Sequence, residues 1–212
     1  MTALIIANGD DVNKSSIENI NFEYVICADG GLKKAESLNI VPNVILGDFD
    51  SVDPDVLRKY QLMNVETKRF PPEKDYTDME LSIELAVERG FKNLILIGAT
   101  GGPRLDHSIA NIMLLEKYLN IGINIEIIDN SNKIQIISDN ADLLLEHKRN
   151  YFVSIVPITE SISGLTLEGF KYPLNNVTVK RGSTLCVSNE IVSSKGRVSL
   201  KKGTALLFLS KD

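Results

Sequence analysis

The first 130 residues alternate short apolar runs with longer segments in which apolar residues recur at helical spacing. The runs with the length and composition of buried strands cover residues 4–7, 25–28, 44–46, 93–97 and 125–128. The segments with helical spacing cover residues 31–38, 54–59, 78–89 and 106–119. Strands that alternate with helices predict an α/β domain over residues 1–130, with a mostly parallel sheet and helices on both faces.

The pattern changes after a polar turn at residues 129–132. The runs that follow are short, rich in β-branched residues and separated by Gly, Ser, Asn or Pro. They cover residues 133–137, 151–156, 164–167, 184–187, 197–200 and 205–209. This spacing predicts an all-β sandwich or small barrel. We therefore expect a C-terminal β-sandwich domain over residues 131–212.

Composition narrows the class of protein. The 212 residues are 43% hydrophobic and 24% charged, and the net charge of −5 argues against a nucleic-acid-binding surface. No apolar stretch approaches the roughly 20 residues of a membrane helix, and the first residues lack the pattern of a signal peptide, so we expect a cytoplasmic protein without membrane partners. Cys27 and Cys186 lie in apolar runs and are expected to be buried thiols.

Polar residues and glycines follow the predicted strands. They occupy residues 8–10, 29–31, 47–50 and 98–102, each directly after an apolar run. The carboxyl ends of parallel strands meet at one edge of a sheet, and glycine lets the backbone approach a ligand closely. We expect one shared pocket, with the alternative that each glycine only ends its strand.

Asp48 and Asp50 are carboxylates one residue apart at a strand end. Two such carboxylates repel each other and raise at least one pKa unless a cation lies between them. Mg²⁺ is bound in proteins by a few carboxylates together with water and phosphate oxygens. The sequence therefore predicts a metal site at Asp48 and Asp50, with help from Asp75 or Asp78.

Asp75 and Asp78 flank a helix start. Thr77 and Glu80 have the spacing of a capping box, which places Asp78 in the first helical turn. There the macrodipole stabilises an acid by about 0.3–1 kcal/mol, and this is a sufficient structural reason for Asp78. Asp75 precedes the cap and gains less from the dipole, so both a functional and a structural role stay open for it.

Residues 98–107 form a Gly-rich turn that runs into a helix. Backbone N–H groups at such a turn, together with the Arg104 guanidinium, can bind phosphate oxygens. The turn matches neither the P-loop nor the dinucleotide fingerprint. His107 lies near the helix start, where a surface role and a ligand contact are equally compatible with the sequence.

These motifs together resemble thiamine pyrophosphokinases in order and spacing. In the first domain the matching residues are Ala28-Asp29-Gly30-Gly31, Gly47-Asp48-Phe49-Asp50-Ser51, Lys74-Asp75-x-Thr77-Asp78, Gly98-Ala99-Thr100-Gly101-Gly102 and Arg104-x-Asp106-His107 with Asn111. In the second domain they are Gly164-Leu165-Thr166-Leu167-x-Gly169-x-Lys171-Tyr172-Pro173-Leu174 and Val187-Ser188-Asn189-Glu190.

The resemblance implies transfer of a pyrophosphoryl group from ATP to thiamine with Mg²⁺, giving thiamine diphosphate and AMP. It also implies a homodimer whose thiamine site lies between the α/β domain of one subunit and the β domain of the other. The implied catalytic residues are Asp29, Asp48, Asp50, Asp75 and Asp78, of which Asp48, Asp50 and Asp75 would hold metal. The implied nucleotide contacts are Asn8, Lys74, Thr100, Gly101, Gly102, Arg104, Asp106 and His107, and the implied thiamine contacts are Ser188, Asn189 and Asp78.

The chain departs from the family pattern in two ways, and two other functions share some of its motifs. Pro103 is an extra residue before Arg104, and with no Trp in the chain any aromatic stacking on thiamine must come from Tyr or Phe. A metal-dependent nucleotidyl- or glycosyltransferase would also use the Asp48-Phe49-Asp50 grip. A non-catalytic nucleotide or thiamine sensor is the other alternative, and the presence of all five motif aspartates argues against it.

Overall fold

The computed structural model describes residues 1–50, 52–71, 73 and 75–212. The chain forms two compact units, Met1–Asn130 and Ser131–Asp212. The implied nucleotide contact at Lys74 lies outside the described residues.

The N-terminal unit is built on a parallel sheet. Its described strands are β1 (Thr2–Ile6), β2 (Tyr24–Ala28), β3 (Val44–Gly47), β4 (Glu66–Arg69), β5 (Asn93–Ile97) and β6 (Asn124–Ile128). Their order in the sheet is β4-β3-β2-β1-β5-β6, and every neighbouring pair is parallel. The order reverses direction after β1, so the carboxyl ends of β1 and β5 flank a switch point where ligands bind in open α/β sheets.

Helices cover both faces of this sheet, as the alternation predicts. The described α-helices are α1 (Gly31–Ser37), α2 (Pro54–Leu62), α3 (Asp78–Glu88) and α4 (Leu105–Leu119). Leu32 of α1 and Tyr60 of α2 pack in one core cluster with Leu4 and Ile6 of β1. Side chains alternate across a strand, so Ile5 of β1 faces the opposite side, where α3 lies against β1, β2 and β3.

Strand β4 was not predicted from the sequence. Its residues Glu66-Thr67-Lys68-Arg69 are polar and at least partly exposed, because the strand lies at the edge of the sheet and pairs only with β3 among the described strands. An edge strand with charged residues needs no apolar run, and hydrophobic patterning therefore does not detect it.

The C-terminal unit is an antiparallel sandwich, as expected. Its described strands are β7 (Asn132–Ile137), β8 (Ala141–Glu146), β9 (Tyr151–Pro157), β10 (Ser161–Glu168), β11 (Leu174–Lys180), β12 (Lys195–Leu200) and β13 (Ala205–Lys211). They form two layers in the orders β7-β13-β9 and β11-β10-β12-β8. Ile155 and Leu207 from one layer share a buried core with Leu165 and Val198 from the other.

Three details of the predicted β pattern were wrong. Residues 184–187 are not a strand, and their apolar signal comes from Cys186, which a loop buries in the sandwich core. Strands β8 and β11 were missed. Both lie at an edge of their layer, where β8 alternates half-buried and exposed residues and β11 contains Asn176 at a positive φ of 53°.

Both cysteines are buried and free, as predicted, and burial raises the pKa of each thiol above its ordinary value. None of the helices in the described ranges is long and apolar enough to cross a membrane.

Candidate active site

A cavity of about 500 Å³ opens at the carboxyl ends of β1, β2, β3 and β5. Its walls include Asn8 and Gly9 after β1, Asp29 after β2, Asp48 after β3 and residues 98–102 except Thr100 after β5. The loops after these strands, which the sequence singled out by their glycines and polar residues, thus contribute to one cavity. The volume suits a small-molecule substrate.

Two of these loops are joined through their backbones. The Ala7 N–H donates to the Ile97 carbonyl at 2.9 Å, and the Gly9 N–H donates to the Gly98 carbonyl at 2.6 Å. A Cβ at Gly9 would overlap the carbonyl oxygens of Gly98 and Thr100, so only glycine allows this approach. The loops after β1 and β5 therefore form one rigid wall of the cavity.

An acidic cluster lies where β2 and β3 end. Asp29, Asp48 and Asp50 each offer a carboxylate oxygen, and these oxygens lie within 4.8 Å of one another. The intervening Phe49 adopts a left-handed φ of 63° and buries its ring in the core, while the Asp50 N–H donates to Asp48 Oδ1 at 3.1 Å. This loop geometry fixes both carboxylates near Asp29.

The cluster is electrostatically strained in the absence of a cation. The pKa of Asp50 is raised above its usual range, chiefly by the negative charge of Asp48. Smaller contributions come from desolvation, the Asp29 charge, a hydrogen bond with Asp48 and the Asp78 charge. A cation bound among these oxygens relieves that repulsion. Carboxylate oxygens with open neighbouring space are the ligands that Mg²⁺ prefers, so the donor set fits this ion.

The structure groups the candidate metal ligands differently from the sequence. Asp29 joins Asp48 and Asp50, whereas Asp75 is exposed and does not belong to the group found in the described ranges. Asp75 is also absent from the residues that line the cavity. Its metal and catalytic roles stay predictions.

Helix α3 starts at the cavity wall. Thr77 is its N-cap and accepts a hydrogen bond from the Glu80 N–H at 3.2 Å, as the capping box predicts. Asp78, in the first turn, lines the cavity beside Tyr76 and Met79. Nothing in the sequence marks Tyr76 or Met79 as site residues, because an aromatic residue and a methionine near a helix start are also common in hydrophobic cores.

Arg104 lines the cavity, but its guanidinium is paired. Its Nε and Nη2 atoms donate to the Asp106 carboxylate at 2.9 Å and 2.6 Å. This hydrogen-bonded pair lowers the pKa of the Asp106 carboxyl to about 2. A phosphate that binds Arg104 must share the guanidinium with Asp106 or displace it.

Other predicted nucleotide contacts differ in their surroundings. Gly101, Gly102 and His107 lie in the cavity wall, whereas the Thr100 hydroxyl donates to the Asp129 carboxylate at 3.1 Å. The buried Asn111, part of the same motif, donates from Nδ2 to the Ala99 carbonyl at 2.7 Å and also lines the cavity. Asn111 thereby fixes the turn from the helix side.

Asp10 is a contact that the sequence did not reveal. Its Oδ1 accepts the Gly102 N–H at 2.8 Å, so this N–H of the Gly-rich turn is occupied by a carboxylate of the chain itself. The two residues lie 92 positions apart, and Asp10 belongs to no recognisable motif. Only the pairing of the β1 and β5 loops brings them together.

In the C-terminal unit, Asn189 has a structural role. It is buried, and its Oδ1 accepts the N–H groups of Tyr172 at 3.1 Å and Glu190 at 2.9 Å, while its Nδ2 donates to the Tyr172 carbonyl at 2.8 Å. These bonds hold Tyr172, whose side chain is exposed. Ser188 is exposed at a φ of 59°. Thiamine contacts at Ser188 and Asn189 stay predictions.

Comparison with known proteins identifies the family. The family model described as "Thiamin pyrophosphokinase, catalytic domain" matches residues 18–127. A second family model, "Thiamin pyrophosphokinase, vitamin B1 binding domain", matches residues 134–205. The chain belongs to the thiamine pyrophosphokinase family. The matched catalytic-domain residues include the acidic cluster and the Gly-rich turn, but they begin after β1 and so exclude Asn8 and Asp10.

Individual members of the thiamine pyrophosphokinase family agree over most of the chain. Thiamine pyrophosphokinase from Bacillus subtilis (strain 168) is 36% identical over 187 residues, which cover 88% of this chain and 87% of the relative. The solved structure of the enzyme from Bacillus subtilis superposes with a TM-score of 0.91 at 33% identity over 100% of both chains. That from Geobacillus thermodenitrificans superposes with a TM-score of 0.85 at 34% identity, covering 100% of this chain and 98% of the other.

The Arg104–Asp106 pair gives a prediction about proton affinity. Replacing Arg104 with Ala removes the hydrogen-bonded cation that favours the ionised carboxyl, so the pKa of Asp106 should rise from about 2 towards its ordinary value. Carbon-detected NMR titration of the carboxyl group measures the change. Asp142, whose pKa is lowered by Arg197, is an internal control and should not move in R104A. An unmoved Asp106 would show that the pair does not persist in solution.

Proposed function

We propose that the protein transfers a pyrophosphoryl group from ATP to the hydroxyl group of thiamine in a Mg²⁺-dependent reaction, giving thiamine diphosphate and AMP. The main support for this function is that the acidic cluster and the Gly-rich turn line one cavity. Both domains of the thiamine pyrophosphokinase family also match the chain. We assign ATP binding and catalysis to residues 1–130 and thiamine recognition to residues 131–212.

The acidic cluster would hold the metal ion through Asp29, Asp48 and Asp50. Bound there, Mg²⁺ would supply the positive charge that balances the ATP phosphates next to these carboxylates. Binding at this position is supported by the crowding that already raises the pKa of Asp50.

Residues of the opposite wall would position the nucleotide. The Gly-rich turn and Arg104 face the same cavity as Asp48, so the phosphates of ATP would lie between them. Arg104 would exchange one partner, Asp106, for a phosphate oxygen. In phosphoryl transfer, such positioning and charge stabilisation supply most of the rate acceleration.

In the reaction, the thiamine hydroxyl oxygen forms a bond to the β-phosphorus of ATP. The bond between that phosphorus and the oxygen bridging to the α-phosphorus breaks, and AMP leaves with the electron pair. A carboxylate takes the hydroxyl proton, for which Asp78, in the cavity wall and outside the metal cluster, is a candidate. The same negative charges attract the thiazolium cation of thiamine.

A nucleotidyl- or glycosyltransferase is not favoured. That function would account only for the Asp48-Phe49-Asp50 loop, whereas the family matches cover both halves of the chain.

We also propose that the protein forms a homodimer in which residues of both subunits build the thiamine site, as the family resemblance implies. Sedimentation equilibrium should give twice the 23.4 kDa mass of the chain, and a monomer that turns over at full rate would contradict this arrangement.

The reaction itself is tested by product analysis. With ATP and Mg²⁺, the protein should release AMP only when thiamine is present, and mass spectrometry should find thiamine carrying two additional phosphates. Release of ADP, or hydrolysis of ATP that does not need thiamine, would refute the assignment. Sugar nucleotides in place of ATP serve as the control for the alternative class, and they should give no transfer.

Metal binding is tested by exchanging Asp29 and Asp75 separately for Asn. Because Asp29 lies with Asp48 and Asp50, D29N should raise the Mg²⁺ concentration for half-maximal rate by roughly tenfold or more, as loss of a ligand does. D75N tests whether Asp75 belongs to the metal site, as the family resemblance implies. A comparable rise in the Mg²⁺ concentration for half-maximal rate would make Asp75 a ligand. D55N, which removes an exposed acid of α2, is the matched control. An unchanged requirement in D29N would exclude Asp29 from the site.

A further inference from the structure

Asp10, in the loop after β1, forms two hydrogen bonds with the Gly-rich turn. The Asp10 N–H donates to the Thr100 carbonyl at 2.9 Å, and the Gly102 N–H donates back to Asp10 Oδ1 at 2.8 Å. Backbone and side chain of one residue therefore hold both ends of a three-residue segment. Together with the bond from the Gly9 N–H to the Gly98 carbonyl, these contacts join residues 9–10 to residues 98–102.

The fit between the carboxylate and the turn is close. Gly101 has a φ of 78°, and a Cβ at this position would overlap the carboxylate of Asp10. Gly102, at a φ of 74°, also adopts a conformation that side chains rarely take. Two successive glycines leave a chain many alternative conformations, so an external contact is needed to select one of them.

Asp10 comes from a loop that is fixed on its other side. Asn130 donates from Nδ2 to the Asp11 carbonyl at 2.9 Å and accepts the Asn13 N–H at 2.7 Å. Lys34, whose side chain is 9% exposed, donates to the Asp11 carboxylate at 3.1 Å. Because these contacts involve Asp11 and Asn13 and not the Gly-rich turn, they hold the position of Asp10 independently of it.

The direction of the Gly-rich turn matters for the residues that follow. Pro103 and Arg104 come directly after Gly102, and both line the cavity. We propose that Asp10 is a positioning residue that sets the conformation of residues 100–102 and thereby directs this wall of the cavity towards the phosphates of ATP. The inference rests on the proposed function, and it concerns a residue outside the matched catalytic-domain segment.

The carboxylate has two effects of opposite sign. Its hydrogen bond orders the turn before ATP binds, which lowers the entropic cost of binding. Its negative charge, in contrast, opposes the phosphates. Asn retains an oxygen that accepts the Gly102 N–H but carries no charge, whereas Ala removes both the bond and the charge. The pair of variants therefore separates the two effects.

The experiment compares D10A, D10N and the parent. D10A should have a KM for ATP roughly fivefold above that of D10N, the effect of one hydrogen bond when both variants lack the charge, while the KM for thiamine stays within about twofold. D10N should have a KM for ATP no higher than that of the parent. D55N removes the charge of an exposed acid of α2 that makes no described contact to the turn, and should leave both constants unchanged within about twofold.

Hydrogen exchange supplies a readout that does not depend on turnover. In the ATP-free protein the Gly102 amide should exchange faster in D10A than in the parent, whereas D10N should keep its protection. Equal exchange in all variants would overturn the proposal. It would also be overturned by equal KM values for ATP in D10A and D10N.

Calorimetry of ATP binding with Mg²⁺ separates this inference from the proposed function. If the parent binds ATP but releases no thiamine-dependent AMP, the proposed reaction is wrong, and the dissociation constants of the variants still decide the role of Asp10. If D10A binds ATP as tightly as D10N does, the positioning role is wrong even when the reaction is established. A parent that does not bind ATP overturns both.

Discussion

Repulsion among carboxylates at the ends of β2 and β3 is the constraint on which the catalytic half depends. Like charges separate unless the backbone holds them, and here the parallel register supplies that restraint. The Asp29 N–H donates to the Leu46 carbonyl at 2.7 Å, and Gly47 leaves room for the Asp29 side chain. The buried ring of Phe49 anchors the other two acids. The energy that holds the cluster thus comes from strand pairing and core packing.

In the C-terminal half a neutral amide, and not a group of like charges, organises the loops. Its polar anchor is the neutral, buried Asn189, whose amide hydrogen-bonds three part-buried backbone groups at once and so is not left unpaired itself. The groups it holds, Tyr172 and Glu190, lie towards solvent, where Glu190 pairs with Lys171 at 2.6 Å. An aromatic residue on a fixed loop presents contact area without a large loss of side-chain entropy on binding.

How much the sequence predicts depends on whether the signal is local. The buried strands and the capping box at Thr77 were predicted because periodicity and capping are properties of neighbouring residues. Strand β4 is polar and β11 is interrupted by Asn175 and Asn176, whereas the exposed Leu144 obscures the apolar face that β8 presents to the core. The Cys186 run resembles a strand because a loop residue can also fill a core. The cluster of Asp29 with Asp48 followed from strand ends that meet at one edge. The same reasoning brought residues 8–10 and 98–102 into one pocket, but it did not specify the bond from Gly102 to Asp10, since nothing in either segment identifies the paired atoms.

The cavity combines an acidic cluster with a wall formed by the Gly-rich turn and Arg104, and two hydrogen-bond donors of that wall are already paired within the protein. Arg104 has Asp106 as its partner, and the Gly102 N–H has Asp10. Binding of a phosphate therefore gains only the difference between old and new hydrogen bonds. The acids, in turn, repel a polyphosphate until a cation neutralises them. A bound cation would lower that repulsion, and a bound polyphosphate would add ligands to the cation, so the binding of the two would be thermodynamically coupled. By linkage, each would then raise the affinity for the other by the same factor.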